Sequence, residues 1–144
     1  MNLDVREPSN DSEFSQYYDL RWRILREPWT QSKDSERDEH ESDATHLGAW
    51  QDGVLLGVGR LHFISPQEAQ IRYMAVEQGQ GGKGIGSAIL VELERRAKQG
   101  GAVRILLNAR ETAMEFYSKH GYTVSGPSGV LFDQIPHREM RKDL

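Results

Sequence analysis

The sequence predicts an α/β chain of the α+β kind, with a mixed, mostly antiparallel central sheet flanked by helices. Two observations predict it. Three consecutive strand segments, Leu47 to Gln51, Val54 to Ile64 and Ala69 to Val76, are joined only by the turns Asp52-Gly53 and Ser65-Pro66. Strands joined that tightly are antiparallel neighbours. The third strand then runs into a glycine-rich loop that opens a helix at Ile85, and strand and helix segments alternate beyond it. The resulting order, β-α-loop-β-β-β-α-β-α-β-β, is not that of a doubly wound parallel sheet.

Taken in order, Leu3 to Arg6 is a short strand. Ser9, Asn10 and Asp11 offer N-caps for a helix through about Arg26, with Phe14, Tyr17, Leu20 or Arg21, and Ile24 at helical spacing. Pro28 stops it. Thr30 to Thr45 is polar and acidic and is expected to form a loop with a short helix. The hairpin and third strand follow. Ile85, Ile89, Leu93 and Ala97 repeat every four residues, so the helix after the loop lays one face on the sheet, and Gly100-Gly101 closes it. Val103 to Leu107 is the next strand, ending in Asn108. A helix then runs to His120 and ends at Gly121. Tyr122 to Ser125, Val130 to Phe132 and His137 to Met140 are the last strands. With 144 residues and no repeat or linker, residues 1–144 are expected to form one domain.

Composition narrows the function. A net charge of −4 argues against nucleic acid as a partner. No apolar run reaches the length of a membrane span, and Met1 to Asp4 has no signal-peptide character, so a cytoplasmic protein without a membrane partner is expected. The chain has no cysteine, which excludes disulfides and thiolate chemistry. His40, His46, His62, His120 and His137 show no metal-ligand spacing, so no metal is expected.

The loop carries the chemistry. Five glycines fall within the eight residues Gly79 to Gly86. Such a loop can turn several N–H groups toward one anion, and the helix N-terminus adds orphan donors and the positive end of its dipole. Lys83 adds a mobile charge. The pattern suits a diphosphate, and three kinds of loop compete for it. The nucleoside-triphosphate loop fails, because Gly82-Lys83 is followed by Gly84 and position 77 is Glu. The dinucleotide fingerprint occurs at Gly79, Gly81 and Gly84, but the next strand ends in Asn108 rather than an acidic residue. The third is the coenzyme A loop V-x-x-x-x-[Q/R]-x-x-G-x-[G/A], whose spacing Val76, Gly84 and Gly86 match, with Gly81 at the usual Gln/Arg position.

This stretch resembles motif A of the GCN5-related N-acetyltransferase (GNAT) family. The resemblance implies the family's acyl-CoA N-acyltransferase fold, in which the strand before the loop splays from the next one to bind the cofactor. It implies that the main chain of Met74, Ala75 and Val76 pairs with pantetheine, while Gly81, Gly82, Lys83, Gly84, Ile85, Gly86 and Ser87 hold the pyrophosphate of acetyl-CoA, the acyl donor. Asn108 to Tyr122, N-A-R-E-T-A-M-E-F-Y-S-K-H-G-Y, resembles motif B of the same family. That places Asn108 at the pantetheine arm and Tyr117 near the thioester sulfur, where a phenol can donate a proton to the leaving thiolate. The segments Tyr17 to Arg23, Leu25 to Pro28, Ser35 to Asp38, Ile71 to Val76 and Asn108 to Glu111 further resemble the acetyltransferase half of bacterial proteins that fuse this fold to a hotdog thioesterase.

The implied reaction is direct transfer of the acetyl group to an amine of a small molecule or peptide. His137, in Ile135-Pro136-His137, is the leading candidate to take the amine proton, with His46, Glu41 and Asp43 behind it. The acidic run Asp34 to Asp43 reads either as a solvated loop or as a site for a cationic acceptor, to which Glu41 and His46 would contribute. Arg72 points the other way. By strand alternation it shares a face with Met74 and Val76, where it could hold an acceptor carboxylate. Trp22, Trp29 and Trp50 are core or groove walls. Two rivals stay open: a non-catalytic acyl-CoA-binding or interaction domain, and a dinucleotide-binding module. A homodimer through the C-terminal strands is a family analogy.

Overall fold

The computed structural model describes residues 2–131 and 135–144. The elements are β1 (Asp4–Arg6), α1 (Asp11–Leu25), β2 (Thr45–Gln51), β3 (Val54–Ser65), β4 (Glu68–Val76), α2 (Ile85–Gln99), β5 (Arg104–Arg110), α3 (Met114–Lys119), β6 (Thr123–Leu131) and β7 (Ile135–Asp143). They form a seven-stranded sheet in the order β1-β2-β3-β4-β5-β7-β6. Among the described residues only β4 and β5 pair in parallel. This is the mixed, mostly antiparallel sheet expected, with α1 packed on one face and α2 on the other.

Local signals set most boundaries. Asn10 caps α1, its side chain accepting the N–H of Glu13. Asp52 and Gly53 both take positive φ in the β2–β3 turn. Ile85, Ile89, Leu93 and Ala97 are all at most 1% exposed. Each of the larger side chains contributes about 1.5–3 kcal/mol by leaving water. The helix lies close to the sheet because β3 presents glycine beneath it. A Cβ on Gly59 would sit 2.7 Å from Met74 Sδ and 2.8 Å from Ile89 Cγ2. Gly59→Ala is therefore expected to destabilise the fold by about 1–3 kcal/mol through overpacking, read as a lower urea midpoint; an unchanged midpoint would refute this close approach.

Four expectations are corrected. No helix forms within Thr30 to Thr45; the segment is a chain of turns, and a short 3₁₀ turn, Glu27–Trp29, precedes it. β5 continues to Arg110, so Asn108 lies inside the strand. β6 is one strand from Thr123, where two were expected, because register shifts at Val124/Gly126 and Pro127/Gly129 absorb the glycines and proline. Phe132 lies outside the described residues. Finally, Arg72 does not share a face with Met74 and Val76. Val58 pairs with Ala75 but Arg60 with Arg72, so β4 carries an extra residue there, and Tyr73 takes φ +59°. That bulge reverses the alternation. Met74 and Val76 pack against the α2-side core, while Arg72 reaches Asp38 on the α1 side.

The same region opens the sheet. The parallel ladder of β4 and β5 runs from Glu68–Arg104 to Ile71–Leu107 and stops. Beyond it β4 stays with β3, and β5 stays with β7. The two strands therefore part, leaving a wedge with backbone edges on both walls.

Candidate active site

Two grooves enter this wedge from opposite sides. The first runs along the glycine loop and is lined by Met74 to Val76, Gln80 to Gly82, Gly84 to Ser87, and by Phe116, Tyr117 and Lys119 of α3 with His120 just after it. Gly82 and Gly84 hold φ of +77° and +80°, which L-residues rarely adopt. A Cβ at Gly81, Gly82 or Gly84 would meet nothing within 4 Å, so the loop faces open space. Gly84 is the N-cap of α2, and the first helical bond runs from the Ala88 N–H to the Gly84 carbonyl. The N–H groups of Ile85, Gly86 and Ser87 are the helix's orphan donors. A bare loop ending on orphan N–H groups fits a pyrophosphate. Lys83 Nζ donates to Gln80 Oε1 at 3.2 Å, and Lys83 does not line this groove. Ser87 Oγ lies 2.9 Å from His120 Nε2.

The second groove, of about 400 Å³, lies on the α1 side. Its lining includes Arg26, Arg72, Tyr73, Asn108, Arg110 and His137. Both grooves are lined by Met74, Ala113 and Tyr117, so they meet there. Tyr117 is 8% exposed, and burial pushes its phenol up, against the charge of Arg110. Its ring packs edge-on against Phe116 and Tyr122. Among the sequence-selected residues, the structure thus brings together Met74, Asn108, Tyr117, His137 and Arg72. Ala75, Val76 and the loop residues Gly81, Gly82, Gly84 to Ser87 line the first groove.

The profile of the Acetyltransferase (GNAT) family matches residues 14–122. The chain belongs to this family. As a GNAT enzyme it is an acyltransferase whose acyl donor is acetyl-CoA. The uncharacterized N-acetyltransferase YjcF of Bacillus subtilis is 28% identical over 134 residues, covering 93% of this chain and 95% of that protein. A Lactobacillus plantarum crystal structure superposes with a TM-score of 0.86 at 23% identity, covering 100% of this chain and 99% of that one. A GNAT acetyltransferase from Elizabethkingia anophelis with acetyl-CoA bound superposes at 0.83 with 16% identity, covering 99% of each chain.

The GNAT grooves rest on a buried charge network that sequence reasoning missed. Arg21 and Arg60 are both 0% exposed. Asp38 and Glu41, from the acidic run read as either a solvated loop or a cationic-acceptor site, turn inward to meet them. Arg21 Nη1 donates to Glu41 Oε1 at 2.9 Å, and Arg60 binds both Asp38 and Glu41. Burial pushes both carboxyls up, but the arginines outweigh it: Arg60 holds Asp38, and Arg21 holds Glu41, below the ordinary carboxylate range. The Tyr73 ring, turned to the α1 side by the bulge, lies under Arg21, Arg26, Arg60 and Arg72 with guanidinium carbons 4.2–5.5 Å from its centroid. His46 is part of the same network. Its Nδ1 is 3.0 Å from Tyr17 Oη and its Nε2 is 2.7 Å from the Glu41 carbonyl. Burial, with the Arg21 charge, lowers its pKa. His46 and Glu41 line neither groove. Trp50 is core at 2% exposure, and Trp22 ties the following loop by donating to the Gln31 carbonyl at 3.1 Å. The available signal was the pairing of unusual arginines on α1 and β3 with an acidic run, but spacing alone could not show that they meet.

Proposed function

We propose that this chain transfers the acetyl group of acetyl-CoA directly to an amine at the junction of the two grooves. The supporting observation is that the glycine-loop groove and the α1-side groove share Met74, Ala113 and Tyr117. The first groove takes the donor, with the loop from Gly81 to Ser87 on its pyrophosphate and the free edge of Met74 to Val76 along its pantetheine. Acetyl-CoA supplies an activated acetyl thioester there. The second groove takes the acceptor. Direct transfer gains most from holding two reactants in one geometry, which this arrangement can do.

Tyr117 keeps its proton at neutral pH, because burial disfavours the phenolate. It is assigned to donate that proton to the departing sulfur. His137, on the wall of the second groove, is assigned to take the proton from the incoming amine, which is mostly charged at neutral pH. Asn108, exposed on the second groove's side one residue past the last β4–β5 pair, is assigned to orient the end of the pantetheine arm where the two grooves meet. Glu41 and His46 are left out of the acceptor site, since their bonds hold the network behind it. The segments that resemble the thioesterase-fused acetyltransferases contribute Arg26, Arg72 and Arg110 to the second groove, so the acceptor side is where that likeness concentrates.

The test is a Tyr117→Phe variant assayed for thiol release from acetyl-CoA with a primary-amine panel. A kcat lower by about 10²-fold, with the acetyl-CoA KM little changed, is the expected result. Full activity in Tyr117→Phe would remove the phenol from the reaction.

A further inference from the structure

The second groove carries a charge that the rest of the molecule does not. The chain has a formal net charge of −4. The groove is nevertheless lined by Arg26, Arg72, Arg110 and His137, and among the described residues by no aspartate or glutamate. The guanidiniums are close enough to oppose one another. Burial lowers the pKa of Arg26, and the charges of Arg72 and Arg110 act in the same direction.

Arg26 donates to the carbonyls of Ser35 and Leu25 at 3.0 and 3.2 Å. Arg72 shares Asp38 with the buried Arg60, so one carboxylate serves two cations. Arg110 is half-buried at the end of β5, opposite His137 in the ladder with β7. No carboxylate among the described residues pairs with it; burial lowers its pKa and Tyr117 is the neighbour that opposes this. A partly desolvated guanidinium on a cleft wall is costly until something supplies the opposite charge.

We infer that the second groove takes an amine that also carries an anionic group, a carboxylate or a phosphate, bound by Arg110 with Arg72 and Arg26. This rests on the reading of that groove as the acceptor side. Guanidinium forks bind both kinds of oxyanion in a bidentate manner. A space of about 400 Å³ suits a small molecule. None of the three arginines lines the glycine-loop groove, so the missing anion is not the donor's pyrophosphate. A polyamine would place further positive charge against the arginines, which selects against it.

The test is calorimetric titration of CoA-saturated protein with matched amines: L-alanine against alaninol, γ-aminobutyrate against butylamine, phosphoethanolamine against ethanolamine, and spermidine alone. The expected result is that at least one anionic member binds at least about tenfold more tightly than its uncharged-group partner and than spermidine. Whether the carboxylate pairs or the phosphate pair shows the difference identifies the anion. Arg110→Gln abolishes the preference without changing affinity for acetyl-CoA, and Arg110→Lys keeps part of it. The inference is overturned if no anionic member binds, if spermidine binds best, or if Arg110→Gln retains the preference. Wild-type protein that fails to bind acetyl-CoA would instead sink the donor-groove reading, however the amines divide.

Discussion

Gly84→Glu abolishes acetyl-CoA binding in a protein that still folds. Gly84 holds φ +80° at the N-cap of α2, so any side chain there costs about 1–2 kcal/mol in backbone strain. Nothing lies within 4 Å of its would-be Cβ, so the glutamate does not clash with protein. It enters the space where the orphan N–H groups of the helix point. There its carboxylate takes the donors meant for a pyrophosphate and repels that anion. Calorimetry is expected to show affinity reduced by more than about 100-fold, roughly 2.7 kcal/mol. Gly81→Ala is the contrast. Gly81 has open space around it and is not among the positive-φ glycines, so its affinity should stay near that of the parent. A folded Gly84→Glu protein that binds acetyl-CoA normally would show that the loop does not hold the pyrophosphate.

Arg60→Met costs about 3–5 kcal/mol of stability. Removing one member of a buried ion pair leaves the other charge without compensation, and here two carboxylates lose the same partner. Arg60 is fully buried, and its Nε has no hydrogen-bond partner among the described residues, so the site is already expensive. The loss is a large share of the stability of a chain this size. Urea denaturation at neutral pH reads it as a lower midpoint, and a midpoint equal to the parent's would refute the network's structural role.

The same network sets the acid limb. Asp38 and Glu41 have folded pKa values below their ordinary 3.8 and 4.5. A lowered folded pKa means that the unfolded chain binds protons first, so the stabilisation is complete above the ordinary values and is lost as pH falls through the folded ones. The parent's urea midpoint should therefore decline from about pH 4.5 downward. Asp38→Asn with Glu41→Gln starts lower and declines less steeply. An acid limb as steep as the parent's in that double variant would assign the decline to other carboxylates.

The glycine loop was legible because it is local. Val76, Gly84 and Gly86 lie within eleven residues, and backbone freedom at a helix start needs no distant partner to be read. The α2 stripe was legible for the same reason: a four-residue repeat names its own buried face. Strand alternation failed at Tyr73, because a bulge forms between two strands and a single-strand pattern carries no sign of it. The acidic run failed similarly. Asp38 meets Arg60 across 22 residues and Arg72 across 34, and composition cannot distinguish such a counter-charge from a solvated loop.

By itself, then, the sequence determined most of the order of elements, the family and the glycine loop that opens α2, since each is written in contiguous residues. Only the tertiary structure decided that β4 and β5 part after Ile71 and Leu107, that Tyr117 stands where two grooves meet, and that the α1-side groove is lined with arginine. Those properties arise from register, bulge and burial, in which residues far apart in the chain fix one another's position and charge.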